Sequence, residues 1–190
     1  MAHGLTLADI ESLFAQRGAR QYSGEPVTQL QHALQTAWFA EQDDATDELV
    51  TASLLHDLGH ILNDQGETPT LRGVDDVHQY FALPFLRGLF PDAVLNAIKF
   101  HVDAKRYLCR MHSGYWDALS EDSKRSLQLQ GGIYSIEECE VFIAEAGAAD
   151  AIRLRQWDDR AKQADLITPP LAHFLARAEA CATATSPSNG

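Results

Sequence analysis

Leu54-Leu55-His56-Asp57-Leu58-Gly59-His60 is the most informative segment of this 190-residue chain, because it sets ionisable side chains among apolar ones. Its apolar spacing predicts one helix from about Asp47 to Leu62. Burying an imidazole beside a carboxylate costs several kcal/mol unless each group is hydrogen-bonded or binds a metal. On such a helix His56 and His60 lie one turn apart on one face, and Asp57 projects to the side of His56. The segment is therefore a candidate metal site.

The rest of the chain shows helical periodicity nearly everywhere and no convincing strand, which predicts an all-α bundle. Thr28 is a suitable N-cap for a helix to about Glu41, and Ser135 with Glu138 forms the pattern of a capping box. No internal repeat or linker is evident. We expect a single domain over residues 1–190, with a flexible tail from about 183 to 190.

Further ionisable side chains lie in other predicted helices that otherwise carry apolar residues. They are His32, His78, His101 and, after Trp157, Asp158. Helical bundles build metal sites in their cores from side chains on separate helices. Imidazoles combined with carboxylates suit iron, manganese or zinc, and the absence of a thiolate motif disfavours a soft metal.

Composition narrows the function classes. The 15 Lys and Arg residues against 27 Asp and Glu give a net charge of −12, which disfavours binding to nucleic acid or anionic lipid. An anionic substrate then needs a local positive site. No apolar run approaches the ~18–20 residues of a membrane helix, and residues 1–10 do not form a secretory signal. Cys109, Cys139 and Cys181 are too few and too widely spaced for a disulfide framework, so we expect a cytoplasmic protein.

The ordered series of these residues resembles the HD-domain proteins, whose minimal pattern is His, then His-Asp, then a distant Asp. Here it is matched by His32, His56-Asp57 and Asp158. Two intervening histidines mark the subset with two metal ions, and His78 and His101 match them. The resemblance spans residues 32 to 158 and implies an HD-domain helical bundle.

Within that subset the chain is similar to the PhnZ-type phosphonate-cleaving branch of the mixed-valent diiron oxygenases. Tyr22-Ser23-Gly24-Glu25 matches the branch's Tyr-x-x-Glu loop just before the first His. The resemblance implies two iron ions, as an Fe(II)/Fe(III) pair, with O2 as co-substrate. The residues implied to bind the first iron are His32, His56, Asp57 and Asp158. The residues implied to bind the second iron are Asp57 as a bridge, His78, His101 and, at rest, Tyr22, which the substrate displaces.

The same resemblance implies a substrate and the residues that bind it. The branch oxidises 2-amino-1-hydroxyethylphosphonate to glycine and phosphate, or its N-trimethyl analogue to glycine betaine. Glu25 is the expected contact for the amine. The phosphonate contacts carried over are His60, Lys105, Ser123 and Ser126. Helical spacing agrees for Lys105, one turn after His101.

Several alternatives stay open at this point. The ligand pattern also fits a two-metal HD phosphohydrolase acting on a nucleotide or a phosphate ester. A sugar-cleaving diiron oxygenase and a non-catalytic helical metal module are weaker alternatives. The sequence does not distinguish a primary amine from a trimethylammonium substrate, and it does not give the oligomeric state, the redox state of the metals or a role for His112.

Overall fold

The computed structural model describes residues 4–22, 24–63, 69–73, 75 and 77–183. Over these residues the chain is α-helical, with one 3-10 turn at Pro69–Arg72 and no β-strand. The helices in chain order are α1 (Leu7–Arg17), α2 (Gln29–Gln42), α3 (Asp47–Leu55), α4 (Leu58–Leu62), α5 (His78–Phe81), α6 (Leu83–Leu86), α7 (Asp92–Met111), α8 (Tyr115–Ala118), α9 (Glu121–Leu129), α10 (Ile136–Ile143), α11 (Ala148–Arg160) and α12 (Leu171–Cys181). The prediction of an all-α fold is confirmed.

Two expectations about the whole chain stay predictions. The single domain is one of them, and the loose tail falls mostly on residues 184–190, which lie outside the described residues. Among the helices described, none combines the length and the apolar character that crossing a membrane requires.

Side-chain caps fix where two of the helices begin. The Thr28 hydroxyl accepts from the Gln31 amide at 3.1 Å, and the Gln31 side chain accepts from the Thr28 amide at 2.8 Å. Ser135 and Glu138 form the same reciprocal pair at the start of α10. Each cap satisfies two amide groups that have no partner inside the helix. The cap at Thr28 places His32 one turn into α2.

The main core lies where α2, α3, α7 and α11 pack together, with α12 covering α3. Leu55, Ile98, Leu154 and Phe174 each come from a different helix, and their side chains have no exposed surface. Full burial of such a side chain contributes about 1.5–3 kcal/mol. The four inner helices or their ends also carry most of the ionisable residues singled out above, so apolar packing brings these residues together.

The segment around His56 is not one continuous helix, so the predicted helix from Asp47 to Leu62 is wrong in this respect. α3 ends at Leu55 and α4 begins at Leu58, with His56 and Asp57 in the turn between them. Asp57 has φ −101° and ψ 12°, outside the helical range. The His56 ring bonds the Ser53 carbonyl at 2.9 Å, and the Asp57 carbonyl accepts from the His60 amide at 2.9 Å. These local bonds replace the helical ones.

Gly59 is the point of closest approach between α4 and α5. A β-carbon at this position would lie 2.1 Å from the His78 carbonyl oxygen and 2.8 Å from the His78 α-carbon. Both are backbone atoms, so no side-chain rotation relieves the overlap. The absence of a side chain at Gly59 therefore allows α5 to hold His78 beside the His56-Asp57 turn.

We expect Gly59→Ala to lower the free energy of unfolding by about 1–3 kcal/mol, because the new methyl group overpacks against backbone. Denaturant unfolding followed by circular dichroism measures the change. Gly4→Ala is the matched control, because its β-carbon would lie 3.8 Å from the Phe85 carbonyl oxygen, an ordinary contact. Equal stability of the two variants would contradict the close-approach role of Gly59.

Candidate metal centre

The Asp57 carboxylate lies between two pairs of imidazoles. Its Oδ2 atom is 3.5 Å from His32 Nε2 and 3.4 Å from His56 Nε2. Its Oδ1 atom is 3.3 Å from His78 Nε2 and 3.6 Å from His101 Nε2. Each carboxylate oxygen therefore faces its own pair of histidines, which makes two adjoining groups of donor atoms with one shared member.

Asp158 joins the first of these groups from the end of α11. Its Oδ1 atom is 3.3 Å from His32 Nε2, and its Oδ2 atom is 3.9 Å from His56 Nε2. The six clustered side chains are all buried, with Asp57 the most exposed at 7%. The cluster comprises His32, His56, Asp57, His78, His101 and Asp158.

Backbone carbonyls orient the imidazoles of His32, His56 and His101. Nδ1 lies 2.8 Å from the Ala161 carbonyl oxygen in His32, and 2.9 Å from that of Ser53 in His56. His101 Nδ1 lies 2.7 Å from the Ile98 carbonyl oxygen. A carbonyl only accepts, so Nδ1 carries the hydrogen, and in the neutral ring Nε2 presents a lone pair. All three Nε2 atoms point into the cluster.

The resulting arrangement of lone pairs is suited to a cation. His32 Nε2 is 3.2 Å from His56 Nε2, and His78 Nε2 is 3.1 Å from His101 Nε2. Asp57 Oδ2 and Asp158 Oδ1 are buried without a hydrogen-bond partner. An unpaired buried oxygen is costly, and a metal ion between these atoms would satisfy the nitrogens and the oxygens together. The donors therefore fit metal ions that take imidazole and carboxylate ligands, such as iron, manganese or zinc.

The protonation states of the cluster suit metal binding. Burial lowers the pKa of His56 and lowers that of His101 further, which favours the neutral rings that bind metals. Burial alone would raise the pKa of the Asp57 carboxyl, but the positive charges that His56 and His60 carry when they are protonated lower this pKa well below its usual range.

Arg155 forms an ion pair with Asp158 and was not predicted from the sequence. Its guanidinium lies 2.7 Å from Asp158 Oδ2 and also bonds Asp159, which accepts from the Tyr115 hydroxyl. Although burial favours the neutral acid, Arg155 holds the pKa of Asp158 well below its usual range. The only sequence signal was the three-residue spacing of Arg155 and Asp158 on one helix, which is common on exposed helix surfaces.

Tyr22 lies directly against the cluster. Its ring stacks on His32 with centroids 3.9 Å apart and planes 13° from parallel. Burial and the charges of Asp57 and Asp158 raise the pKa of the Tyr22 hydroxyl well above its usual value. The Tyr22 amide donates to the Val27 carbonyl, and the Glu25 amide donates to the Tyr22 carbonyl, each at 2.9 Å. These bonds fix the backbone of Tyr22 and of Glu25.

His60 and Lys105 lie beside the cluster. The His60 ring stacks on His78 with centroids 4.0 Å apart, and its Nε2 atom is 3.8 Å from Asp57 Oδ1. Lys105 is 2% exposed and donates to the Ser126 hydroxyl at 2.8 Å. Burial, with the nearby Arg155 charge, lowers the pKa of Lys105 to about 7. His112 lies exposed at the end of α7, outside the cluster.

Ser123 and Glu25 both lie near Lys162, a residue that was not predicted from the sequence. The Lys162 ammonium lies 3.5 Å from Ser123 Oγ and 3.4 Å from Glu25 Oε1. Lys162 follows the last turn of α11 in a polar segment that resembles an ordinary surface loop. No local pattern signals its contacts, because both partners are distant in sequence.

Comparison with known proteins agrees with this geometry. The HD-domain family model matches residues 30–150. Over 165 residues the chain is 38% identical to a 1-hydroxy-2-(trimethylamino)ethylphosphonate dioxygenase (glycine-betaine-forming) of Leisingera caerulea, covering 87% of this chain and 84% of that protein. Over 175 residues it is 39% identical to a hydroxymethylphosphonate dioxygenase of Gimesia maris, covering 90% and 87%. The chain therefore belongs to the HD-domain family, in its PhnZ-type branch of oxygenases.

Proposed function

We propose that this protein is a metal-dependent dioxygenase that uses O2 to cleave the carbon–phosphorus bond of a 1-hydroxyphosphonate. The observation that carries the proposal is the buried Asp57 carboxylate shared by two pairs of imidazoles, in a chain whose similar relatives are named phosphonate dioxygenases. The acidic composition gives no reason to expect a nucleic-acid partner, and a cytoplasmic location remains a prediction.

The substrate we propose is 2-amino-1-hydroxyethylphosphonate or its N-trimethyl analogue, giving glycine or glycine betaine plus phosphate. The second relative's name adds hydroxymethylphosphonate, so the hydroxyl group and the phosphonate on one carbon are the shared features. In the balanced reaction the C1–H and C–P bonds break, and C1 becomes a carboxylate. O2 accepts four electrons and supplies the oxygen atoms of the new C–O and P–O bonds, so that phosphorus leaves as hydrogen phosphate and one proton passes to the solvent.

The cofactor we propose is a pair of iron ions, Fe(II) and Fe(III), which when bound supplies O2 activation and one-electron redox chemistry. The residues that would hold the first ion are His32, His56, Asp57 and Asp158. The residues that would hold the second are Asp57, His78, His101 and, before substrate binds, Tyr22. The two oxygens of Asp57 face different histidine pairs, which supports its assignment as the bridge.

Lys105, His60 and the serines of α9 would bind the phosphonate. Lys105 and Ser126 are already hydrogen-bonded to each other, so an incoming phosphonate oxygen meets a cation and a hydroxyl held in place. His60 approaches the same centre from another element, α4. Lys105 supplies local positive charge in a protein that otherwise repels anions, and the hydroxyls add uncharged hydrogen bonds.

Tyr22 would keep the second ion closed until substrate arrives. Its hydroxyl has a strongly raised pKa and lies beside the buried carboxylates, so it binds a cation only when that cation displaces its proton. Substrate oxygen atoms would then replace the phenol. Until this exchange, the bound phenol would protect the imidazole ligands from oxidation.

We expect the iron-loaded protein to consume O2 and release phosphate in a one-to-one ratio with at least one of these three phosphonates. An oxygen electrode and a phosphate assay measure the two rates, and metal analysis is expected to give about two iron ions per chain. Phosphate release from a phosphate ester under nitrogen, without oxygen-dependent activity on any phosphonate, would instead identify the two-metal phosphohydrolase.

We expect Tyr22→Phe to retain iron but to oxidise faster in air when no substrate is present, because the phenol no longer occupies the second ion. The change in absorbance of the reduced protein after mixing with O2 measures this rate. Tyr134→Phe is the control, since the Tyr134 hydroxyl bonds Asp103 outside the cluster. Wholesale loss of iron from Tyr22→Phe would show a structural role for Tyr22 instead.

We expect Lys105→Met to raise KM about 10- to 150-fold, since a charged hydrogen bond contributes about 1.5–3 kcal/mol. The Lys105 pKa of about 7 means that the ammonium is present below this pH and is lost above it. In the parent protein kcat/KM therefore falls as pH rises above about 7, and the variant lacks this fall. An unchanged KM would place Lys105 outside the substrate site.

A further inference from the structure

Lys162 is held by backbone contacts on both sides. The preceding residue, Ala161, accepts from His32 Nδ1 at 2.8 Å through its carbonyl. The following residue, Gln163, donates its amide to Gln35 Oε1 at 3.0 Å and accepts from Gln35 Nε2 at 2.7 Å. The segment that carries Lys162 is therefore fixed to α2 beside a candidate metal ligand. Its side chain starts from a rigid position.

The Lys162 ammonium connects two regions assigned to opposite ends of the substrate. It lies 3.4 Å from Glu25 Oε1, in the loop proposed to receive the cationic end. It also lies 3.5 Å from Ser123 Oγ, on the helix proposed to bind the phosphonate. The side chains of Lys162 and Glu25 are each 14% exposed, so the ion pair is largely shielded from water.

Two hydrogen bonds of the Glu25 backbone position this residue beside Lys162. The Glu25 carbonyl accepts from Gln21 Nε2 at 2.6 Å, and its amide donates to the Tyr22 carbonyl at 2.9 Å. The backbone thus holds Glu25 in place without a ligand, and its carboxylate already has a cationic partner. A substrate cation that approaches Glu25 must compete with that partner, and a substrate without a cation need not.

Resting on the proposed function, we propose that Lys162 is a specificity-determining residue. It is the internal counter-ion of Glu25, and a substrate's ammonium group must replace it. With hydroxymethylphosphonate, which has no cationic group, the Lys162–Glu25 pair stays closed and its charges stay balanced. With a trimethylammonium substrate, Glu25 exchanges one cation for another, so the net gain from the new contact is reduced.

The effect of removing Lys162 on cationic and on non-cationic substrates distinguishes this role from simple phosphonate binding. If Lys162 only attracted the phosphonate, its removal would weaken every phosphonate by a similar factor. If it acts as the counter-ion of Glu25, its removal leaves a shielded carboxylate without a partner, and only a cationic substrate supplies one. The relative affinity of the two kinds of substrate therefore reports the role of Lys162.

The test is anaerobic calorimetry on the iron-loaded protein with 1-hydroxy-2-(trimethylamino)ethylphosphonate and hydroxymethylphosphonate as probes. In Lys162→Met the ratio of the two Kd values shifts by about tenfold or more in favour of the cationic probe, because only that probe gives Glu25 a new charged partner. Lys162→Gln is measured in parallel and is expected to shift the ratio in the same direction. If one of the two variants does not fold, the other one tests the inference. Lys162→Arg, which retains the charge, keeps the parent ratio. In a Glu25→Gln background Lys162→Met no longer shifts the ratio.

An unchanged ratio in Lys162→Met and Lys162→Gln would overturn the inference, whether both probes weaken together or neither does. A shift that persists in the Glu25→Gln background would also overturn it, because Lys162 would then act without Glu25. Failure of the parent protein to bind these two probes and 2-amino-1-hydroxyethylphosphonate, which replaces the trimethylammonium probe if it alone binds, would overturn the proposed function itself. If the parent protein turns over a probe but the ratio of the two Kd values does not shift in the variants, the inference about Lys162 fails and the proposed function stands.

Discussion

The buried carboxylate of Asp57 is the constraint on which this structure depends. Four imidazoles surround it, and pairs of their nitrogens lie at hydrogen-bond distance. Such a cluster is unfavourable in an apolar core unless cations occupy it. The helices that carry these groups must therefore converge accurately, and the apolar residues of α2, α3, α7 and α11 provide that convergence. The core packing and the metal centre are thus two consequences of the same arrangement of helices.

Much of the fold followed from local patterns, because helix periodicity and caps are local. The cap at Thr28 and the all-helical character are confirmed. The break at His56 and Asp57 was not predicted, since the apolar spacing continues through the turn while the His56 ring takes the Ser53 carbonyl. Gly147 separates α10 from α11 with φ 97°, a backbone conformation that interrupts a helix. Backbone geometry at single residues decided both cases.

The candidate site divides in a similar way. The clustered histidines and aspartates were predictable, because buried ionisable groups in apolar helices form a recognisable pattern and the pattern resembles a known family. Arg155 and Lys162 were not predictable. Each resembles a residue on a solvent-exposed surface, and its role depends on a partner that folding brings close. The roles of the individual residues remain proposals, whereas their proximity is a feature of the structure.

The carbonyls that receive His56 and His101 belong to residues three positions earlier in the chain, Ser53 and Ile98. Each ring is thus oriented by its own segment of backbone, and its direction does not depend on a bound ion. A cation that enters this centre therefore meets two nitrogen donors that need no reorientation, and the backbone conformation has already set the directions from which they bind.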